Sequence, residues 1–264
     1  MTRFFFVVLL ASIVNLHAIE IIAHRGASRD AAENTLAAFN LGWQQQADDD
    51  ELDIYLSKDR EVVVIHDATT KRTAKLDKPV AAQTLAELRH LDAGSWKGPK
   101  WKGQRIPTLA EALATIPDGK RMFIEIKCGA DVLPELERVL KASGKRPEQL
   151  VLIGFKYDTM KLARERFPGL QLYWLVSLKP DKKTGRVPPL EPVIEKARAA
   201  KLDGLDLDYR SRLDAAAVAK IKAADLKVYV WTVDDVSIAK KLVAADVDGI
   251  TTTNRPALLR EQLR

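Results

Sequence analysis

Short apolar runs alternate with amphipathic stretches along almost the whole 264-residue chain. This alternation is the feature that most restricts the fold. The spacing predicts strands over Ile19–Ala23, Glu51–Leu56, Arg121–Ile126, Val151–Gly154, Leu170–Val176, Gly204–Asp208, Lys227–Trp231 and Gly249–Thr252. Between them, apolar residues recur every three or four positions, as in Leu36/Phe39/Trp43, Leu133/Leu136/Leu140, Val193/Ile194/Ala197 and Ile238/Leu242. That is the period of a helix with one buried face. Residues suited to capping stand at the start of several of these segments: Asn34-Thr35, Thr108 with Glu111 three on, Asp158 and Asp214. Strands that alternate with helices must run parallel, with the helices covering them. Eight such units imply a (β/α)8 TIM barrel, an α/β fold that typically takes about 250 residues.

Val62–Ile65 is a ninth strand candidate, reached from Glu51–Leu56 through the turn-like Ser57-Lys58-Asp59-Arg60. From there to Arg105 the pattern is irregular. Residues 57–105 read as a small insertion after the second strand, packed over the barrel mouth, with Trp96 and Trp101 as walls of a site or as part of a satellite core. At the amino terminus, Arg3 precedes the apolar stretch Phe4 to Leu16, with Ala18 as a small residue at a cleavage position. Residues 1–18 therefore read as a signal peptide, 19–264 as the barrel domain, and the protein as exported, periplasmic or secreted. The stretch is too short for a stable membrane span, which needs about 20 apolar residues. Cys128 is the single cysteine, so no intrachain disulfide forms, and its expected place is in the packing. The net charge is +6, and +5 without Arg3, the only charge ahead of Ile19. These basic residues are scattered without interleaved aromatics, which argues against a nucleic-acid groove and for a mild attraction to anionic substrates. The sequence sets no oligomeric state.

Four short pieces carry the chemistry: His24-Arg25-Gly26, Glu51-Leu52-Asp53, His66-Asp67 and Glu125-Ile126-Lys127. Each stands at or near a strand end, and barrel active sites lie at the C-terminal ends of the strands. Glu51 and Asp53, two apart on a strand, share one face while Leu52 and Ile54 share the other. A barrel strand buried on both faces should be nearly all apolar, so this acidic pair breaks the pattern. Converging carboxylates repel one another unless a hard cation neutralises them. Oxygen-only ligation by Glu51, Asp53 and Glu125 favours Mg²⁺ or Ca²⁺ over zinc. Arg25 would grip a phosphate through its planar fork and Lys127 as a point charge. His24 and His66, with ordinary pKa values near ~6.5, suit proton transfer. Glu33 is assigned to hold Arg25 or the ligands, Asn34 to cap the first helix, and Trp231 to wall the substrate.

The ordered set His24-Arg25-Gly26-Ala27, Glu33-Asn34-Thr35, Glu51-Leu52-Asp53-Ile54, Val64-Ile65-His66-Asp67, Ile106-Pro107-Thr108-Leu109, Glu125-Ile126-Lys127, Trp231-Thr232-Val233 and Asp248-Gly249-Ile250-Thr251 resembles the glycerophosphodiester phosphodiesterase family. The resemblance runs from about Ile21 to Pro256. It implies a (β/α)8 barrel with an insertion after the second strand. It also implies hydrolysis of glycerophosphodiesters to sn-glycerol 3-phosphate and an alcohol, with Mg²⁺ or Ca²⁺ as cofactor. On this resemblance Glu51, Asp53 and Glu125 are metal ligands, His24 and His66 the acid–base pair, and Arg25 and Lys127 the phosphate-binding residues. The chain departs from the family pattern at Ala32, Gln46, Asp50, Arg60 and Gly154, none of them a proposed catalytic residue. Two alternatives stand beside this reading. One is a related, phospholipase D-like barrel acting on lysophospholipids, with Trp96 and Trp101 as an apolar rim. The other is a non-catalytic exported binding protein.

Overall fold

The computed structural model describes residues 19–211 and 213–264. The signal peptide assigned to residues 1–18 lies outside the described residues. Eight parallel strands close on themselves in chain order: β1 (Glu20–Ala23), β2 (Asp49–Leu56), β4 (Arg121–Ile126), β5 (Leu150–Gly154), β6 (Gln171–Val176), β7 (Gly204–Asp208), β8 (Lys227–Trp231) and β9 (Gly249–Thr252). Pairing of β1 with β2 and with β9 completes the ring. This is the (β/α)8 barrel expected from the alternation. The remaining strand, β3 (Val62–Val64), lies outside the ring. It runs antiparallel to β2, with Ile54 opposite Val64 and Leu56 opposite Val62.

The helical period gives the outer layer: α1 (Leu36–Gln44), α4 (Leu109–Ala114), α5 (Leu133–Ala142), α6 (Tyr157–Arg166), α7 (Glu191–Ala199), α8 (Ala215–Lys222) and α9 (Val236–Ala244). One further helix, α10 (Pro256–Leu263), follows the last strand. Thr35, Thr108 and Asp214 cap their helices through side-chain oxygens, and Thr108 forms a full capping box with Glu111. Two capping expectations need correction. Asn34 does not cap α1, because Thr35 takes that position and Asn34 turns to the barrel interior. Asp158 does not cap α6 either: the helix begins at Tyr157, after an extended Lys156, which leaves Asp158 in the first turn.

Strand alternation divides the packing in two. One face of each strand, with Leu52, Ile54, Ile124, Leu152, Leu205, Val228 and Ile250, meets the helices in the main core. The other face fills the barrel with Ile22, Phe123, Val151, Ile153, Tyr173, Leu175 and Tyr229. Phe123 and Tyr229 meet edge-to-face at 5.3 Å, and Tyr173 stacks on Tyr229 at 4.7 Å. Each such fully buried side chain contributes about 1.5–3 kcal/mol. Gly249 makes room for this layer, since a Cβ there would lie 2.5 Å from the Tyr229 ring. The aromatic layer separates the lower end of the barrel from the upper.

Between β3 and α4 the chain forms α2 (Lys71–Ala74), α3 (Leu85–Arg89) and irregular connections. Val63, Ile65, Val80, Leu88, Ala93 and Ile106 bury one another in a small satellite core. This cluster fixes β3, and so fixes the position of His66 just beyond it. Cys128 is half-buried against the main core, and burial pushes its thiol up to about 11.

Candidate active site

Inward-facing residues at the C-terminal strand ends, with those just beyond them, line a cavity of about 150 Å³. Its walls include His24, Arg25, Glu51, His66, Glu125, Lys127 and Trp231, seven of the residues singled out in the sequence. Asp53 lies immediately behind, ion-paired with Arg25 and Lys127. Glu51, Asp53 and Glu125 are 2%, 1% and 8% exposed. One carboxylate oxygen from each lies within 4.8 Å of the other two. Strand register produces this convergence: Asp53 and Glu125 are direct neighbours across the β2–β4 pair, and Glu51 precedes Asp53 by two residues on the same face.

Electrostatics follow from burial. Burial pushes the Glu51 carboxyl well above the usual range, and the charges of Asp53 and Glu125 add to that push. Burial, then Asp53, raises Glu125 to about 7. Asp53 is the exception. Burial works to raise it, but Arg25, Lys127 and His66, with a hydrogen bond from Asn34, outweigh that and hold it low. The Arg25 Nε is 3.4 Å from Asp53, and the Lys127 Nζ is 2.8 Å from Glu125 and 3.5 Å from Asp53. The backbone N–H of Arg25 donates to Glu51 at 2.8 Å. Three buried carboxylates face two cations here, and Asp53 keeps an oxygen, Oδ1, without a hydrogen bond. A buried excess of hard oxygen donors fits a divalent cation.

The residues around these groups hold them in place. Asn34 donates to Asp53 at 2.8 Å and accepts from its backbone N–H at 3.2 Å. Asn34 reaches inward because its backbone is left-handed, with φ of 56°, a conformation that asparagine tolerates better than most residues. Glu33 accepts from Arg25 at 2.9 Å and also from Arg72 at 2.7 and 2.8 Å. Arg72 in turn donates to Asp67 at 2.6 Å, and Asp67 meets the Nδ1 of His66 at 2.6 Å. A chain of charges therefore links His66 to Arg25 and ties the β3 segment to the barrel. His24 is pushed down to about 4 by burial first and then by Arg25. Gly26 lets the chain turn there. It has φ of 72°, and a Cβ would lie 2.6 Å from the backbone of Ala38.

A family model described as the glycerophosphoryl diester phosphodiesterase family matches residues 24–258. The chain belongs to that family. It is 33% identical over 244 residues to a glycerophosphodiester phosphodiesterase of Caldanaerobacter subterraneus, covering 90% of this chain and 96% of that one. Among solved structures it is similar to an Oleispira antarctica phosphodiesterase in complex with the product sn-glycerol 3-phosphate. That match has a TM-score of 0.82 and 31% identity over 92% of this chain and 96% of that one. It is also similar to a Thermotoga maritima glycerophosphodiester phosphodiesterase, with a TM-score of 0.73 and 27% identity over 93% and 99% of the two chains.

Several residues of this family member's site escape sequence reasoning. Trp96 and Trp101 do not line the cavity. Trp96 lies beside Arg72 and Lys97, and Trp101 beside Lys100. The aromatic wall comes instead from Trp231 and Phe155, whose rings meet edge-to-face at 5.3 Å. Arg72 and Asp67 gain their roles through tertiary contact. Asp206, buried on β7, also lines the cavity. Its signal was present in the alternation Gly204-Leu205-Asp206-Leu207-Asp208, the same violation of an apolar strand that exposes Glu51-Leu52-Asp53.

Proposed function

We propose that the protein hydrolyses glycerophosphodiesters to sn-glycerol 3-phosphate and an alcohol, with a divalent cation, Mg²⁺ or Ca²⁺, held by Glu51, Asp53 and Glu125. The observation that carries this reading is the convergence of three buried carboxylates within 4.8 Å, in a cavity shared with two imidazoles, a guanidinium and an ammonium. Family membership supplies the reaction class. When bound, the cation polarises the phosphoryl group and offsets its charge. Arg25, fixed by Glu33 and Asp53, grips a phosphate oxygen, and Lys127 adds a second positive charge. His24 is neutral at neutral pH and accepts the proton of the attacking oxygen. His66, oriented through Nδ1 by Asp67, donates from its other nitrogen to the leaving alkoxide.

The test separates the two histidines by leaving group. Acid assistance is typically worth ~10²–10⁴-fold for an alkoxide and little for a nitrophenolate. His66→Ala is expected to cut turnover of glycerophosphocholine far more than that of a 4-nitrophenyl diester, whereas His24→Ala lowers both alike. Equal losses on both substrates in both variants would overturn the acid–base assignment. The lysophospholipid alternative rests on Trp96 and Trp101, neither of which lines the cavity, so no observation favours it. The complete site argues equally against an idle binding protein.

Export belongs to the same reading, supported by Arg3, the apolar stretch and the start of β1 at Glu20. Native protein beginning near Ile19 on amino-terminal sequencing is the expected result. A retained Met1 or Thr2 would refute it.

A further inference from the structure

The cavity has two unlike sides. The strand ends of β1, β2 and β4 and the β3 segment supply its cations, imidazoles and clustered carboxylates. Opposite them, β5, β6 and β8 contribute Ile153, Leu175 and Trp231, and Phe155 follows just beyond β5. Within that apolar side stands one carboxyl group, Asp206. It is the third of five residues in β7 and is 1% exposed. Its Oδ1 is buried with no hydrogen-bond partner. It makes no ion pair among the described residues, and it is not part of the three-carboxylate cluster. Among the described residues its carboxyl makes no hydrogen bond, although the charge of Glu125 acts on it; Trp231 Nε1 donates only to its backbone carbonyl, at 3.1 Å.

An unpartnered carboxyl in such a place is costly to the fold. It opens on the cavity, so its missing partner is a group that enters there. The cavity holds about 150 Å³, well short of the ~300–1,000 Å³ of a site that encloses a drug-sized ligand. It therefore encloses one end of a phosphodiester and leaves the other at the mouth, where Phe155 is 45% exposed. The phosphate is fixed on the far side by Arg25 and Lys127. What reaches Asp206 is the enclosed group attached to that phosphate. A polyol fits: each hydroxyl can donate to a carboxyl oxygen, while its carbons rest on Ile153 and Leu175.

We propose that Asp206 is a specificity residue that accepts hydrogen bonds from the glycerol hydroxyls of the substrate and the product. This rests on the reading of the protein as a glycerophosphodiester hydrolase. A site built to hydrogen-bond a hydroxyl discriminates strongly against an analogue lacking it, because its own buried group is then left bare. The same logic explains why an unsatisfied carboxyl is retained inside a largely apolar wall.

The experiment compares two ligands by calorimetry with Mg²⁺ present: sn-glycerol 3-phosphate and methyl phosphate, which has no alcohol hydroxyl. Asp206→Leu is expected to weaken glycerol 3-phosphate by roughly 10- to 100-fold and to leave methyl phosphate within about threefold. Asp206→Asn keeps hydrogen-bonding capacity and should retain most of the preference. Loss of an unpaired buried carboxyl should also raise the Tm of Asp206→Leu, whereas a purely structural role lowers it. Should the Leu variant not fold, Asp206→Ala is read by the same ligand ratio. In turnover, kcat/KM should fall together for glycerophosphocholine, glycerophosphoethanolamine and glycerophosphoglycerol. Equal weakening of both ligands, or unchanged glycerol 3-phosphate binding, would overturn the proposal. So would a turnover loss confined to cationic head groups, which would place the alcohol end beside Asp206. Failure of the wild type to cleave any glycerophosphodiester removes the hydrolase reading, while the ligand ratio still decides what Asp206 binds.

Discussion

Strand β2 places acidic residues at both ends of the barrel, on the same inward face, and the two ends treat them oppositely. At the lower end, Asp49 receives two hydrogen bonds from Arg121, at 2.8 and 2.7 Å. Arg121 also pairs with Glu20, which accepts from Tyr229 at 2.6 Å, and reaches Gln171 at 3.2 Å. The guanidinium lies over the Phe123 ring, so this network seals directly against the aromatic layer. At the upper end, two residues further along, Glu51 and Asp53 face Glu125 with less positive charge than the cluster needs, and the Asp206 carboxyl has no hydrogen-bond partner among the described residues. A polar network that closes on itself rigidifies a barrel. One left open can bind something. The contrast is thus between a plug and a site, built from the same residue types on the same strand.

The largest expected effect comes from neutralising the open end. Glu51→Gln, Asp53→Asn or Glu125→Gln should lower metal-dependent hydrolysis by roughly 10³-fold or more. The fold should survive, because each change relieves repulsion. Normal activity of folded Glu125→Gln protein at limiting metal, measured with a coupled glycerol 3-phosphate assay, would remove it from the ligand set.

Next in size is breaking the closed end. Arg121→Ala leaves Asp49 and Glu20 without their counter-charge and should cost about 3–5 kcal/mol of stability, read by urea unfolding. Activity per folded molecule should stay within about threefold. If Arg121→Ala instead removes activity while sparing stability, the division of the barrel into plug and site is wrong.

The smallest effect is a pH dependence. The folded-state pKa of Glu125 is raised to about 7 from an ordinary 4.5. The folded protein therefore holds that proton more tightly than the unfolded chain does. Its stabilising contribution is full below pH 4.5 and disappears as pH rises through 7. In metal-free protein the Tm of the wild type relative to Glu125→Gln should fall between pH 5 and 8, a comparison that cancels the opposite slope of His24, which is lowered to about 4. Added divalent cation should oppose it, because the ion binds the ionised form. A Tm difference between wild type and Glu125→Gln that rises across this range would contradict the crowding of carboxylates described above.

Glu51 and Asp53 were legible in the sequence because they interrupt a strand that should be apolar on both faces. Asp206 gave the same sign in fainter form, since Gly204-Leu205-Asp206-Leu207-Asp208 also reads as an edge or a solvated face. Asn34 misled for a local reason. Asparagine before a helix is an ordinary cap, and only its left-handed backbone and the nearness of β2 turn it onto Asp53. Trp96 and Trp101 misled because aromatic residues in an irregular segment carry no period from which their facing can be read. Arg72 and Asp67 lie five residues apart in a segment of weak pattern, and their link to Glu33 exists only once β3 has folded back on β2.

Periodicity alone determined the barrel, its eight strands and most of its helices, because burial of one face imposes a repeat that composition displays directly. Motif chemistry likewise determined the ligand carboxylates, the two histidines and the two phosphate-binding cations as candidates. Tertiary structure decided which polar groups are satisfied. Asp49 and Asp53 are both aspartates on one face of one strand, yet the first is closed by Arg121 and the second is left with an open oxygen. Satisfaction depends on partners brought from distant strands, such as Arg121 on β4, at separations that no local pattern encodes.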